Sequence, residues 1–200
     1  EIAMTSIEHD VLLALRQEDY SNGTLHAALQ LKGEGQHEMF RLAQDRRYKY
    51  FPDNRAQARS VIEISNVCRQ KCRYCAIGGK DQTRNYTLDA HQIELLVDYL
   101  YDCGRRVVLL QAGENVNRIF VNDVVTAVGN VKQKYADLRI ILCMGDLAKD
   151  QYQRLYDAGA TDYVLKFEAS NPQLFSYCKP NDSLDNRLRC IRLEFLMFKL

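Results

Sequence analysis

The alternation of short apolar runs with amphipathic segments constrains the fold of this chain most. Four runs rich in Val, Ile and Leu are typical of strands, at 60–67, 106–114, 138–146 and 162–170. Segments with helical spacing of apolar residues follow them, at 87–104, 120–136, 148–160 and 183–198. Apolar strands that alternate with helices indicate a parallel sheet covered by helices, either an open doubly wound sheet or a barrel. The sequence therefore predicts an α/β fold.

The chain that precedes these runs is predicted to be helical. Residues 5–50 carry apolar side chains at helical spacing, with a break near 33–35. Thr24 is the predicted N-cap of a helix in this region, and Thr87 that of the first helix after the cysteines. We therefore expect two domains, an N-terminal helical segment at 1–55 and an α/β domain at 56–200.

Unusual polar and sulfur-containing residues follow every predicted strand at its carboxyl end. A stretch with three cysteines follows the first strand, and the sequences AGEN, CMGD and FEAS end the next three, at 112–115, 143–146 and 167–170. In parallel α/β sheets the carboxyl ends of the strands lie at one edge, where functional residues gather. The sequence therefore predicts a single site at that edge.

Three cysteines, Cys68, Cys72 and Cys75, occupy eight consecutive positions of the first of these stretches. The chain has seven cysteines and no secretion signal, which argues against a disulfide framework and for thiols that bind metal. A structural zinc site needs a fourth ligand, such as the distant Cys103 or Cys143. Three thiolates can instead hold three corners of an iron–sulfur cube and leave one iron open. Both a zinc site and an iron–sulfur cluster fit the spacing of the cysteines. The lack of a fourth cysteine nearby favours the iron–sulfur cluster.

Charge and hydropathy exclude several classes of function. The 27 basic residues balance 26 acidic residues, and no basic stripe indicates nucleic-acid binding. No apolar run has the length of a membrane span, and no signal peptide opens the sequence, so we expect a cytoplasmic protein. The sequence begins at Glu1 and stops within an apolar helical stretch, so we expect it to be part of a longer protein.

The cysteine spacing, Cys68-x3-Cys72-x2-Cys75 with Tyr74 before the last cysteine, resembles the signature of radical S-adenosylmethionine (SAM) enzymes. The resemblance implies that the three cysteines bind a [4Fe–4S] cluster and that SAM chelates its fourth iron. Reductive cleavage of SAM would then give methionine and a 5′-deoxyadenosyl radical. It also implies an enzyme with a partial (β/α) TIM-type barrel of about four βα units, preceded by N-terminal helices and truncated before strand five.

The same resemblance implies further cofactor-binding residues, with Tyr74 among them. Gly113 and Glu114 match the family's Gly-Gly-Glu motif, although an alanine replaces the first glycine. Lys166 and Glu168 stand where the family has an arginine and a glutamate that contact SAM. Lysine cannot make the bidentate contacts of arginine. Arg187 matches an arginine that binds the cofactor's carboxylate.

The same resemblance concerns two residues at the end of the third predicted strand. Cys143 lies where biotin synthase has a cysteine that helps to hold a second cluster, but the other cysteines for such a cluster are missing. We interpret Cys143 as a buried core thiol. Asp146 is a shorter acid at the position where the maturase family often has a glutamate.

Within the family the sequence is most similar to the subgroup of the hydrogenase maturase HydE, biotin synthase and methylornithine synthase. A HydE-like role implies assembly of the [FeFe] hydrogenase cofactor, with a small-molecule substrate, a ferredoxin or flavodoxin as electron donor, and other hydrogenase maturases as partners. A biotin synthase-like or methylornithine synthase-like enzyme is the alternative within the family. A non-catalytic metal-binding half-barrel is the alternative from another class.

Overall fold

The computed structural model describes residues 5–53, 56–77 and 84–198. The chain divides into two compact units, a helical unit that ends at Gln57 and an α/β unit that begins at Ala58. None of the helices in these described ranges combines the length and apolar character needed to cross a membrane.

The N-terminal unit consists of three helices, α1 (Ser6–Arg16), α2 (Asn22–Gln30) and α3 (Gly33–Tyr50). The chain breaks at residues 31–32, between α2 and α3, just before the predicted position at 33–35. The prediction that Thr24 caps a helix is wrong, because Thr24 lies inside α2. Ser21 caps that helix, and its hydroxyl accepts a hydrogen bond from the Thr24 N–H at 3.4 Å.

The second unit contains a sheet of four parallel strands in sequential order, β1 (Ser60–Ser65), β2 (Val107–Ala112), β3 (Arg139–Cys143) and β4 (Asp162–Tyr163). The sheet does not close within the described residues, because β1 and β4 are its two edges. The sequential order of parallel strands is that of a barrel wall. The predicted α/β class and partial barrel are therefore confirmed.

Five helices connect and follow the strands, α4 (Ala90–Asp102), α5 (Arg118–Lys134), α6 (Lys149–Asp157), α7 (Pro172–Cys178) and α8 (Leu184–Phe198). The predicted N-cap at Thr87 is wrong. Asp89 caps α4 through a reciprocal capping box with Gln92, while Thr87 pairs with Ser65 at the end of β1. Gly104, with φ of +80°, follows the end of α4 as predicted.

The core lies between one face of the sheet and the helices. Alternate strand residues such as Ile64, Leu110 and Leu142 are almost fully buried against helix residues such as Ile93 and Val124. The opposite face of the sheet is more open, and Val61 on β1 is 54% exposed. The helices thus hold the strands from one side, and the carboxyl ends of the strands are free to form a site.

The fourth predicted strand, at 162–170, is much shorter in the structure. Only Asp162 and Tyr163 pair with β3, and the chain then continues without regular structure to α7. The early end of pairing leaves Lys166 and Glu168 on an irregular segment rather than on a strand. Glu168 has a φ of +67°, the left-handed conformation that few residues other than glycine adopt.

Candidate functional site

A cavity of about 130 Å³ lies at the carboxyl ends of the strands. All nine residues that were predicted to bind the cluster or SAM line it, namely Cys68, Cys72, Tyr74, Cys75, Gly113, Glu114, Lys166, Glu168 and Arg187. They come from the loop after β1, the end of β2, the segment after β4 and α8. The structure therefore brings together residues that are up to 119 positions apart, from Cys68 to Arg187.

The three cysteines are free thiols on the loop that follows β1. Cys68 and Cys72 are half-buried and Cys75 is exposed. The Cys75 N–H donates to the Cys72 carbonyl at 3.3 Å, which folds the loop back on itself. Burial raises the pKa of the Cys72 thiol, and negative charge on Cys68 and Cys75 adds to this rise. A bound cation would offset both effects.

The three cysteine sulfurs do not form the compact group of ligands that one zinc ion needs. Ligands of one tetrahedral zinc ion stand about 3.8 Å apart, because each Zn–S bond is about 2.3 Å. Among the described residues, the ligand atoms that gather within 4.8 Å are carboxylates and not the three cysteine sulfurs. A polynuclear cluster does not need such close sulfurs, because each thiolate binds a different iron.

Gly113 allows the cysteine loop to cross the end of β2 in close contact. A Cβ atom at this position would lie 2.4 Å from the Val67 carbonyl oxygen and 2.7 Å from the Cys68 Cβ. The Gly113 N–H donates to the Ser65 carbonyl, and the next N–H, of Glu114, donates to the Cys68 Sγ at 3.2 Å. The end of β2 therefore fixes the first cysteine directly.

The carboxylate of Glu114 is buried and already surrounded by donors from this chain. It accepts hydrogen bonds from Arg69 Nε at 2.8 Å and Gln70 Nε2 at 2.6 Å. Lys179 Nζ lies 3.3 Å away and the Arg187 guanidinium 3.6 Å away. The Glu114 side chain thus holds the cysteine loop.

Arg187 lies at the centre of a buried network of charges. Its guanidinium is 3.1 Å from Asp146 and 3.4 Å from Asp182, and its side chain is 3% exposed. Burial raises the pKa of Asp146 to about 7, although the Arg187 charge opposes that rise. The carboxylates of Glu114, Asp146 and Asp182 come within 4.8 Å of one another. Arg187 contacts all three, so these carboxylates have internal counter-ions.

Three predicted residues lie at the mouth of the cavity, where they are exposed. Lys166 and Glu168 offer opposite charges on the segment after β4. Partial burial raises the pKa of Tyr74, and the neighbouring Glu168 carboxylate raises it further. A ligand with both an ammonium and a carboxylate could pair with the two charges.

Several residues of the network were missed by sequence reasoning. Arg69 and Gln70 lie between the first two cysteines, and their position was the only available signal. Lys179 and Asp182 follow α7, a helix that was not predicted. The Asn171–Pro172 pair could have revealed α7, because asparagine caps helices and proline favours their first position.

Cys143 is buried, as expected of a core thiol, and it also lines the cavity. A larger cleft of about 860 Å³ lies on another side of the charge network. Gln70 and Asp146 line it, but none of the cysteines of the loop does. We therefore place the candidate chemistry in the smaller cavity.

The protein is therefore a parallel sheet of βα units with three cysteines at the carboxyl ends of its strands. Residues 62–194 match the sequence model of the Radical SAM superfamily. The chain belongs to this superfamily, and its predicted membership and enzyme class are confirmed.

Two characterised kinds of enzyme are similar in sequence to most of this chain. The HydE subunit of the [FeFe] hydrogenase maturase from Thermotoga maritima is 30% identical over 185 residues, which is 91% of this chain and 52% of the relative. A biotin synthase from Parabacteroides distasonis is 25% identical over 72% of this chain and 45% of its own length. The chain thus spans about half the length of these relatives.

Solved structures support the fold. Methylornithine synthase (PylB) superposes with a TM-score of 0.77 at 23% identity, over 96% of this chain and 56% of that protein. HydG, a maturase of the [FeFe]-hydrogenase, superposes with a TM-score of 0.83 at 19% identity, over 98% of this chain and 45% of its own. At these identities the likeness concerns the architecture alone.

Proposed function

We propose that this protein is a radical SAM enzyme in which Cys68, Cys72 and Cys75 bind a [4Fe–4S] cluster with one open iron. The observation that carries the proposal is the shared cavity. The three thiols line the same space as a strand-end glycine and a set of charged groups, within a chain of the Radical SAM superfamily. When bound, the cluster and SAM supply an electron transfer that cleaves SAM to methionine and a 5′-deoxyadenosyl radical.

The residues around the cysteines would bind and orient SAM. We assign Lys166 and Glu168 to the carboxylate and ammonium of its methionyl part, because they offer opposite charges at the cavity mouth. Gly113 would present backbone at close range, because it has no side chain. Arg187, in the wall of the cavity, would add positive charge near the carboxylate of SAM. Tyr74, between the last two cysteines, would limit access of water to the sulfurs.

We propose a HydE-like role for the whole protein, in the maturation of the [FeFe] hydrogenase cofactor. The support is the 30% identity to the T. maritima HydE subunit over most of this chain. Its substrate would be a small molecule, ferredoxin or flavodoxin would donate the electron, and other hydrogenase maturases would be partners. We place this chemistry in the cytoplasm, because free thiols persist in a reducing compartment.

A biotin synthase-like enzyme is the second candidate. Its support is the 25% identity to biotin synthase over 72% of this chain. The two candidates share the cluster and SAM and differ in the molecule that receives the radical. Formation of 5′-deoxyadenosine should rise with the substrate of the correct relative and not with the other.

Anaerobic reconstitution tests the shared part of the proposal. The purified chain should take up about four irons and about four sulfides, and dithionite reduction with SAM should yield 5′-deoxyadenosine. Cys72→Ala should abolish both, while Cys103→Ser should retain them, because Cys103 lies outside the cavity after α4. One tightly bound zinc per chain without nucleoside formation would instead support the non-catalytic metal-binding alternative.

A further inference from the structure

Lys179 is a buried lysine beside the cysteine loop that the proposed chemistry does not use. It directly follows α7, and its side chain is 3% exposed. Its ammonium lies 2.9 Å from Asp182 and 3.3 Å from Glu114. A lysine ammonium is rarely buried unless it is paired, because removal from water is costly. Two close carboxylates account for its burial here.

Glu114 connects this lysine to the first cysteines of the loop. Its carboxylate accepts from Arg69 and Gln70, and its carbonyl accepts from the Arg69 N–H at 3.0 Å. Its own N–H donates to the Cys68 Sγ at 3.2 Å. The orientation of Glu114 therefore determines where the first thiolate and the two following residues lie.

The segment after α7 also contacts the cysteine loop through uncharged groups. The Cys178 carbonyl accepts from the Arg73 N–H at 2.9 Å. The Asn181 side-chain amide donates to the Arg69 carbonyl at 3.3 Å. One short segment, residues 178–182, therefore touches the loop at points on both sides of Cys72.

When all three carboxylates are ionised, the charges of the network balance only if Lys179 is present. The three carboxylates Glu114, Asp146 and Asp182 face three cations, Arg69, Lys179 and Arg187. Loss of Lys179 would leave an excess negative charge in the network. One member of the network, Glu114, contacts the Cys68 thiolate through its N–H. Negative charge near a cluster disfavours the added electron, and hydrogen bonds to its sulfurs favour that electron.

We propose that Lys179 and Asn181 are positioning residues for the cysteine loop. Lys179 holds the Glu114 carboxylate, which keeps the Glu114 N–H directed at the Cys68 Sγ. Asn181 holds the Arg69 carbonyl. Together they slow the loss of iron, and Lys179 also raises the reduction potential of the cluster. This inference rests on the proposed function, because it requires that the three cysteines bind a cluster.

Lys179→Met tests the inference in the reconstituted chain. We expect iron transfer to a ferrous chelator to be ~10-fold faster, since loss of groups that support metal ligands typically costs 10-fold or more. The midpoint potential, followed by electron paramagnetic resonance (EPR), should shift to more negative values. Lys179→Arg should restore the potential, because it keeps the charge. Lys149→Met is the matched control, since Lys149 is an exposed lysine at the start of α6.

Asn181→Ala provides a second test on an exposed side chain, so it applies even where Lys179→Met does not fold. It should speed iron transfer by ~3-fold, as expected for one lost neutral hydrogen bond. Its midpoint potential should not change, because no charge is removed.

Two results would overturn the inference, namely wild-type iron transfer in Asn181→Ala, or a wild-type potential in a folded Lys179→Met. A wild-type chain that binds no cluster would instead overturn the proposed function, so the two failures are distinguishable.

Discussion

At the scale of single residues, the site depends on close contacts rather than on any one functional group. Gly113, Glu114 and the buried cations fix the loop that carries the thiols. The resemblance to a known family predicted nine of the residues that line the cavity. It did not reveal that Glu114 would be surrounded by its own cations, because Lys179 and Asp182 are distant along the chain and follow an unpredicted helix.

Replacement of Gly113 by alanine should damage the cysteine loop. The new Cβ would lie 2.4 Å from the Val67 carbonyl oxygen, a contact with backbone that has little freedom to move. We expect Gly113→Ala to lower the free energy of unfolding by about 2–3 kcal/mol, in the range of overpacked sites, and to reduce cluster uptake.

Gly129→Ala is the matched control for that change. Gly129 lies within α5, and a Cβ there meets nothing within 4 Å. Since alanine favours helices more than glycine does, this change should raise stability by about 0.5–1 kcal/mol. Urea unfolding measures both variants, and equal stability of the two would contradict the close approach of the loop to β2.

Glu194 should make the stability of the α/β unit depend on pH. It is 6% exposed on α8, and burial raises its pKa from 4.5 to about 7. The folded state therefore binds this proton more tightly than the unfolded state does. The contribution of Glu194 to stability is fully present below pH 4.5 and is lost as the pH rises to about 7, by about 3 kcal/mol for a shift of this size.

Glu194→Gln should remove that contribution and raise stability at pH 8 more than at pH 5. Asp146, whose pKa is also raised to about 7, contributes a slope of the same sign, so part of the pH dependence should remain. Denaturant unfolding at the two pH values measures the difference. An equal gain at both values would show that Glu194 is not a buried acid.

At the scale of elements, the sequence predicted the strands and main helices because apolar periodicity determines which segments can bury one face. The predicted ends of helices were less accurate where either of two polar residues could serve as the N-cap. Thr87 and Asp89 both suit the start of α4, and only the pairing of Thr87 with Ser65 decides between them. The fourth strand was predicted too long, because apolar composition does not show where hydrogen bonding to β3 stops.

Asp89→Ala tests the corrected start of α4. The Asp89 side chain accepts from the Gln92 N–H at 2.8 Å in a capping box. Its loss should lower the free energy of unfolding by about 1 kcal/mol. Asp102→Ala, at the last residue of the same helix, should be neutral or slightly stabilising, because an acid there opposes the helix dipole. Equal destabilisation by the two changes would contradict the assigned cap.

At the scale of the whole molecule, the α/β unit carries every residue that lines the candidate cavity. The parallel sheet was predictable from the alternation of strands and helices, and the partial barrel and the class of enzyme from the family resemblance that the cysteine motif carries. The charge network was not, because it depends on contacts between β2, the cysteine loop and the segment after α7. The sheet brings these parts together only in three dimensions.

A chain that begins at Ala56 should therefore retain cluster uptake. None of the cavity residues lies in α1, α2 or α3, so the iron content per chain should equal that of the 200-residue protein. Iron and sulfide analysis after anaerobic reconstitution measures this. Loss of uptake in a folded shorter chain, with unchanged circular dichroism of the α/β unit, would show that the N-terminal helices contribute to the site.

The most direct measurement is the EPR spectrum of the reduced, reconstituted protein with and without SAM. Three thiolates from Cys68, Cys72 and Cys75 leave one iron for an external ligand. We therefore expect a [4Fe–4S] signal that changes when SAM is added, and no such signal in Cys72→Ala. A cluster signal that persists in that variant, or one that SAM leaves unchanged, would contradict the assignment of an open iron at this loop.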